Sequence, residues 1–116
     1  MVWPLGEELP PLAHPFGVLV DADDDSWSDS RFRADWIPKL LDAGCRYVVC
    51  FGEHSEALHD LIDDIVTAGG EESVLTTWHD DEAPEDVVEF FTDVVGRAMA
   101  TTVILVGDQD RWIRVL

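Results

Sequence analysis

The stretch Arg46-Tyr-Val-Val-Cys-Phe-Gly52, running on through Glu53-His-Ser-Glu-Ala-Leu-His-Asp-Leu-Ile-Asp-Asp-Ile-Val-Thr-Ala-Gly-Gly70, decides the fold. Its first part is a short continuous apolar run closed by a glycine, the pattern of a strand buried on both faces. In its second part Leu58, Leu61, Ile62, Ile65 and Val66 recur at helical spacing and make one apolar stripe. Ser55 is the expected cap, Asp60, Asp63 and Asp64 the outer face, and Gly69-Gly70 the stop. A buried strand that leads straight into an amphipathic helix is the repeating unit of a parallel α/β sheet.

The same alternation extends in both directions. Phe16-Gly-Val-Leu-Val20 reads as a first strand, followed by a helix that ends at Gly44, with Asp35 as cap and Pro38 in its first turn. Ser73-Val-Leu-Thr-Thr-Trp78 reads as a third strand. The helix after it is entered at Pro84 and carries the stripe Val87, Val88, Phe91, Val94, Val95 and Ala98. Thr102-Val-Ile-Leu-Val106 is the fourth strand, and Trp112 to Leu116 a short antiparallel return strand after a turn at Gly107 to Asp110. Pro4, Pro10, Pro11 and Pro15 make residues 1–15 an extended arm, held to the body by Trp3, Leu5, Leu9 and Leu12. The expectation is a single α/β domain over residues 1–116. It is a small three-layer Rossmann-like domain with a mainly parallel four-stranded sheet, order 3-2-1-4, and an antiparallel C-terminal edge strand.

The chain has 116 residues, with 25 Asp+Glu against 7 Lys+Arg and a formal net charge of −18. Its 47% hydrophobic content argues for a packed core in spite of that charge. Like-charge repulsion argues against direct binding to nucleic acid. No apolar run approaches the roughly 20 residues of a membrane span. The N-terminal residues do not read as a signal peptide, so a cytoplasmic location is expected. Cys45 and Cys50 fall in one strand region and read as buried, reduced thiols.

Ligands of open α/β sheets bind beyond the carboxyl ends of the strands. Four segments are expected there, with the acidity concentrated in them: Asp21 to Asp25, Gly52 to Ser55, Trp78 to Glu82, and Gly107 to Asp110. Asp21-x-Asp23 directly after an apolar strand resembles the first motif of the haloacid-dehalogenase-type phosphatases. That resemblance implies a nucleophile at Asp21 and a general acid/base at Asp23, with Asp108 in the acidic metal motif. Asp21, His79 and Asp108 are the candidate metal ligands, and Mg²⁺ is the ion their hard donors suit; otherwise no cofactor is called for. That chemistry also needs a cation for the phosphoryl group, and the single lysine, Lys39, falls in a helix. The nucleotide-binding GxGxxG and the hydrolase GxSxG are both absent.

The segments Arg46 to Gly52, Leu75-Thr-Thr-Trp-His-Asp-Asp-Glu82 and Val87-Val-Glu-Phe-Phe91 resemble a family of short bacterial proteins of unknown function. Its most recognisable feature is a TTWHxDE-like motif closing a strand, here Thr76, Thr77, Trp78, His79, Asp81 and Glu82. The resemblance implies a single-domain bacterial protein in which that strand end matters, and it supplies no reaction. The candidate binding residues are therefore Asp21, Asp23, His54, Thr77, Trp78, His79, Asp81, Glu82 and Asp108. The expected function is that of a non-enzymatic, acidic interaction protein that takes a basic partner protein by electrostatic attraction, as immunity proteins and inhibitors do. The alternative is a divalent-metal-dependent phosphatase-like enzyme, or a small-ligand binder, using the acidic strand ends. A homodimer formed through the edge strand Trp112 to Leu116 is a third expectation.

Overall fold

Each apolar run of the sequence becomes a strand with both faces covered. The computed structural model describes residues 1–70 and 73–107. Its strands are β1 (Val2–Pro4), β2 (Phe16–Asp21), β3 (Cys45–Phe51), β4 (Leu75–His79) and β5 (Thr101–Val106). All neighbours pair in parallel, in the order β1-β5-β2-β3-β4. The helices are α1 (Ser30–Asp42), α2 (Ser55–Ala68) and α3 (Pro84–Phe90), the last prolonged by a wide turn at Phe91–Val95 and a final turn at Gly96–Ala98.

Alternation along the strands divides the core in two. Val18, Val20, Val48, Cys50, Val103 and Leu105 face Trp36, Ile37 and Leu40 of α1 and Leu58, Ile62 and Val66 of α2. Leu19, Val49, Phe51, Ile104 and Val106 face Val87, Phe91 and Val95 on the other side. The result is the expected three-layer α/β sandwich: two helices on one face and one on the other. Both cysteines are free and buried. Burial pushes the Cys45 thiol up to about 12 and raises that of Cys50 as well.

The sheet differs from expectation in strand count and in full order. The four strands read from the sequence keep their expected neighbours, but the proline-rich arm adds a fifth. Val2, Trp3 and Pro4 pair with Ile104, Leu105 and Val106. Pro4 has no N–H to give, and an edge strand tolerates that. The rest of the arm lies along the α1 face, with Leu5, Leu9 and Leu12 packed on the core as expected. The flank of β5 where a return strand would have paired is thus taken by β1. The segment Trp112 to Leu116 lies outside the described residues.

Three local details also differ. The cap of α1 lies six residues before the expected one, because Asp29, not Asp35, accepts from the N–H groups of Arg31 (2.9 Å) and Phe32 (3.4 Å). Pro38 then lies inside the helix, which tertiary packing carries past it. The rings of Phe32 and Trp36 stack 5.8 Å apart, and Trp27 meets both edge-on. Ser55 does not cap α2: it is the first helical residue and its hydroxyl is buried without a partner. After Phe91 the helix widens to a π turn, in which the Gly96 N–H bonds the Phe91 carbonyl. The extra residue keeps Val87, Phe91 and Val95 in line and turns Val94 and Ala98 outward.

Leu105 is fully buried between the helix layers. Leu105→Ala is expected to cost about 2–5 kcal/mol, whereas Val94→Ser, at an exposed site, changes stability by less than about 0.5 kcal/mol. Denaturant unfolding of the two variants checks the contrast.

Candidate functional site

The chain reaches β3 from β2 through α1 on one face, and reaches β5 through α3 on the other. The crevice between the carboxyl ends of β2 and β5 is therefore the point where sheets of this kind hold a ligand. Here the protein fills it with its own side chains. Asp21 ends β2 and is buried, at 6% exposure. Its carboxylate accepts from the Asp23 N–H (3.0 Å), and its carbonyl accepts from the Trp27 indole (2.8 Å). Asp24 accepts from the Ser26 N–H (2.9 Å) and caps the short 3₁₀ turn Asp25–Ser28. The other oxygen of Asp24 lies where a Cβ on Gly107, just past β5, would have to stand.

The next loop, between β3 and α2, presents N–H groups at a helix N-terminus. Such amides usually attract an external anion. In this chain Asp23 occupies them. It accepts from the Glu53 N–H (3.0 Å), from the His54 N–H (2.9 Å) and from the His54 Nδ1–H (2.8 Å). Gly52 makes the approach possible: its φ is +116°, and the Asp23 carboxylate lies against its Cα where a side chain would go. Burial tends to raise the Asp23 pKa, but the hydrogen bonds from His54 and Glu53 outweigh it and hold the carboxyl below its ordinary value. Conversely, the hydrogen bond to Asp23, aided by its charge, raises the His54 pKa. Beside this clasp opens a cleft of about 400 Å³, lined among others by Trp27, Arg33, His54, Leu58 and Leu61.

The third segment is the motif at the end of β4, and strand alternation splits it between two faces. Thr77 and His79 point toward α3. The His79 Nδ1–H donates to Glu82 (2.8 Å), which leaves Nε2 to accept from the Thr77 hydroxyl (3.2 Å); the ring lies 5.1 Å from Phe90. Thr76 and Trp78 point toward α2. The Thr76 hydroxyl donates to Asp63, and Trp78 lies 4.6 Å from the His59 ring. His59 in turn meets Asp60 (3.1 Å) and Asp63 (3.4 Å). Sequence reasoning missed His59 and set Asp63 on the outer face. The spacing of His59 and Asp63, one turn apart, was the available signal. Asp81 is exposed beyond the strand.

The structure joins Asp23 to His54, and Thr77 to His79 and Glu82. It does not bring Asp21 to His79. Asp21, Phe51 and His79 stand in one row across three strands, with Phe51 between the two candidate ligands. Among the described residues no three His, Cys, Asp or Glu side chains are placed to hold a metal ion. Asp108 lies outside those residues.

A family model described as a domain of unknown function (DUF7684) matches residues 3–115, and the chain belongs to that family. No curated protein and no solved structure matches it.

The Asp23–His54 pair fixes a pH dependence. Asp23, with its pKa lowered, stabilises the fold above about 3.8, and that contribution fades as pH falls through the lowered value. His54, with its pKa raised, contributes fully below 6.5 and fades as pH rises through the raised value. NMR titration is expected to place His54 above 6.5, and Asp23→Asn to return it toward 6.5. Asp23→Ala is expected to cost about 1 kcal/mol through loss of its hydrogen bonds to the Glu53 and His54 amides.

Proposed function

We propose that the protein is a non-enzymatic, acidic interaction protein that binds a basic partner protein in the bacterial cytoplasm, in the manner of an immunity protein or inhibitor. The supporting observation is the parallel sheet, which gathers the acidic loops at one rim. Glu7 and Glu8 follow β1, Asp23 to Asp25 follow β2, Glu53 follows β3, and Asp80, Asp81 and Glu82 follow β4. Arg31 and Arg33, at the start of α1, are cations on that side. Among the described residues the far end carries Arg46 and Arg97 along with Asp42. A molecule charged this way steers a basic surface to its rim and orients it there. No helix among the described residues is long and apolar enough to cross a membrane.

Internal saturation of the rim favours this reading over phosphoryl chemistry. Asp23, the position expected to move a proton, is held by two amides and an imidazole. Lys39 pairs with Asp35 on the outside of α1 (2.9 Å). The metal-dependent alternative expects millimolar Mg²⁺ to raise the melting temperature and Asp21→Asn to abolish the rise. The interaction reading expects no such rise.

Two variants, each losing four charges, test the proposal. One carries Asp25→Asn, Glu53→Gln, Asp80→Asn and Asp81→Asn at the rim. The other carries Asp42→Asn, Asp64→Asn, Glu89→Gln and Asp93→Asn elsewhere. All eight residues are exposed. A basic partner retained by the tagged wild type at physiological salt should bind the rim variant about tenfold more weakly or worse, four exposed pairs each contributing about 0.2–1 kcal/mol. The other variant should bind it within about threefold of wild type. Equal binding by both variants, or failure to retain any basic partner, counts against the proposal.

A further inference from the structure

Among the described residues β4 is the end of the sheet: it pairs with β3 on one side, and no strand lies on the other. An open edge displays a row of backbone N–H and C=O groups, and proteins usually blunt it with lysine, proline or a bulge. β4 has none of these. It reads Leu-Thr-Thr-Trp-His, and its register with β3 runs without a shift. Instead it displays apolar surface, with Leu75 58% and Trp78 44% exposed. Alternation puts these two side chains on opposite faces of the strand.

The groups around them are already held in place. Thr76 is bonded to Asp63, Thr77 to His79, and His79 to Glu82, while Trp78 rests on His59. Little side-chain freedom is left to lose on binding. Charge selects the occupant. Asp80 and Asp81 follow the strand and are exposed, and Asp60 and Asp63 stand on the neighbouring helix. A second copy of this chain would bring another −18 to the contact.

We infer that β4 accepts an added strand from a partner protein: an extended segment in which apolar side chains alternate with Lys or Arg. Its backbone pairs with the open edge, its apolar side chains cover Leu75 on the α3 face, and its cations lie on the other face, over the Trp78 ring and toward Asp60 and Asp63. This rests on the interaction reading and names where on the molecule the basic partner docks.

An octapeptide of alternating Arg and Val is the probe, and its isomer with four Arg followed by four Val is the control. Both carry the same charge and apolar content. At physiological salt the alternating peptide should bind the full-length protein at least tenfold more tightly than the blocked isomer. It should also slow amide hydrogen exchange at residues 75–79. The double variant Leu75→Ser/Trp78→Ser, with its fold checked by circular dichroism, should bind the alternating peptide at least tenfold more weakly than wild type.

Equal affinity for the two peptides would mean charge adhesion alone and would overturn the inference while leaving the rim reading intact. Absence of slowed exchange at 75–79 in the wild type overturns it whether or not the variant folds. Light scattering that shows a dimer lost in the double variant would assign the edge to a second copy and overturn the inference as well. If the rim variant loses the natural partner while the edge variant keeps it, the partner docks elsewhere on the rim and the inference fails.

Discussion

Among the described residues, five strands running the same way place five carboxyl ends and three helix N-termini at one side. The rest of the structure answers to that constraint. Helix N-termini leave backbone N–H groups without internal acceptors and carry partial positive charge. The loops at this side are rich in aspartate and glutamate, and the inner ones are used as acceptors: Asp29 for α1, Asp24 for the 3₁₀ turn, and Asp23, from another loop, for the Glu53 and His54 amides that lead into α2. The outer ones face solvent. The same residue type therefore serves two ends at this rim. Its innermost members hold the loops together, and the outer members give the surface its sign.

Much of the architecture was legible because it rests on local pattern. The apolar runs from Phe16 to Val20, from Arg46 to Phe51 and from Thr102 to Val106 are long enough to mark buried strands. The stripe from Leu58 to Val66 has a single period. With these in hand, handedness rules left few topologies, and the neighbour relations of four strands followed. What was missed lies where distant partners override local pattern. Nothing near Asp29 marks it as a better cap than Asp35; the aromatic packing of Phe32, Trp36 and Trp27 decides that. β1 is three residues long and needs β5, a hundred residues away, to become a strand at all.

The site was legible as a set of loops and not as a set of contacts. Asp23 and His54 were both singled out, but their union crosses thirty-one residues of chain and depends on the left-handed turn at Gly52. The motif from Thr76 to Glu82 reads in sequence as one potential ligand set. In the fold, alternation divides it into two clasps. Thr76 and Trp78 bind the strand to α2, while Thr77 and His79 bind it to the segment entering α3. Its chemistry is that of holding an edge strand firmly between two helices.

The pairing of β1 with β5 has a consequence for the order in which the molecule can be built. As the chain leaves the ribosome, β2, α1, β3, α2 and β4 can assemble in sequence, each beside the last. That intermediate is covered on one face only: Leu19, Val49 and Phe51 stay bare until the segment 84–98 arrives. β5 then enters on the far side of β2, where β1 pairs with it and the Ile104 N–H bonds the Met1 carbonyl (2.7 Å). β1 can thus lock only once β5, a hundred residues later, is in place.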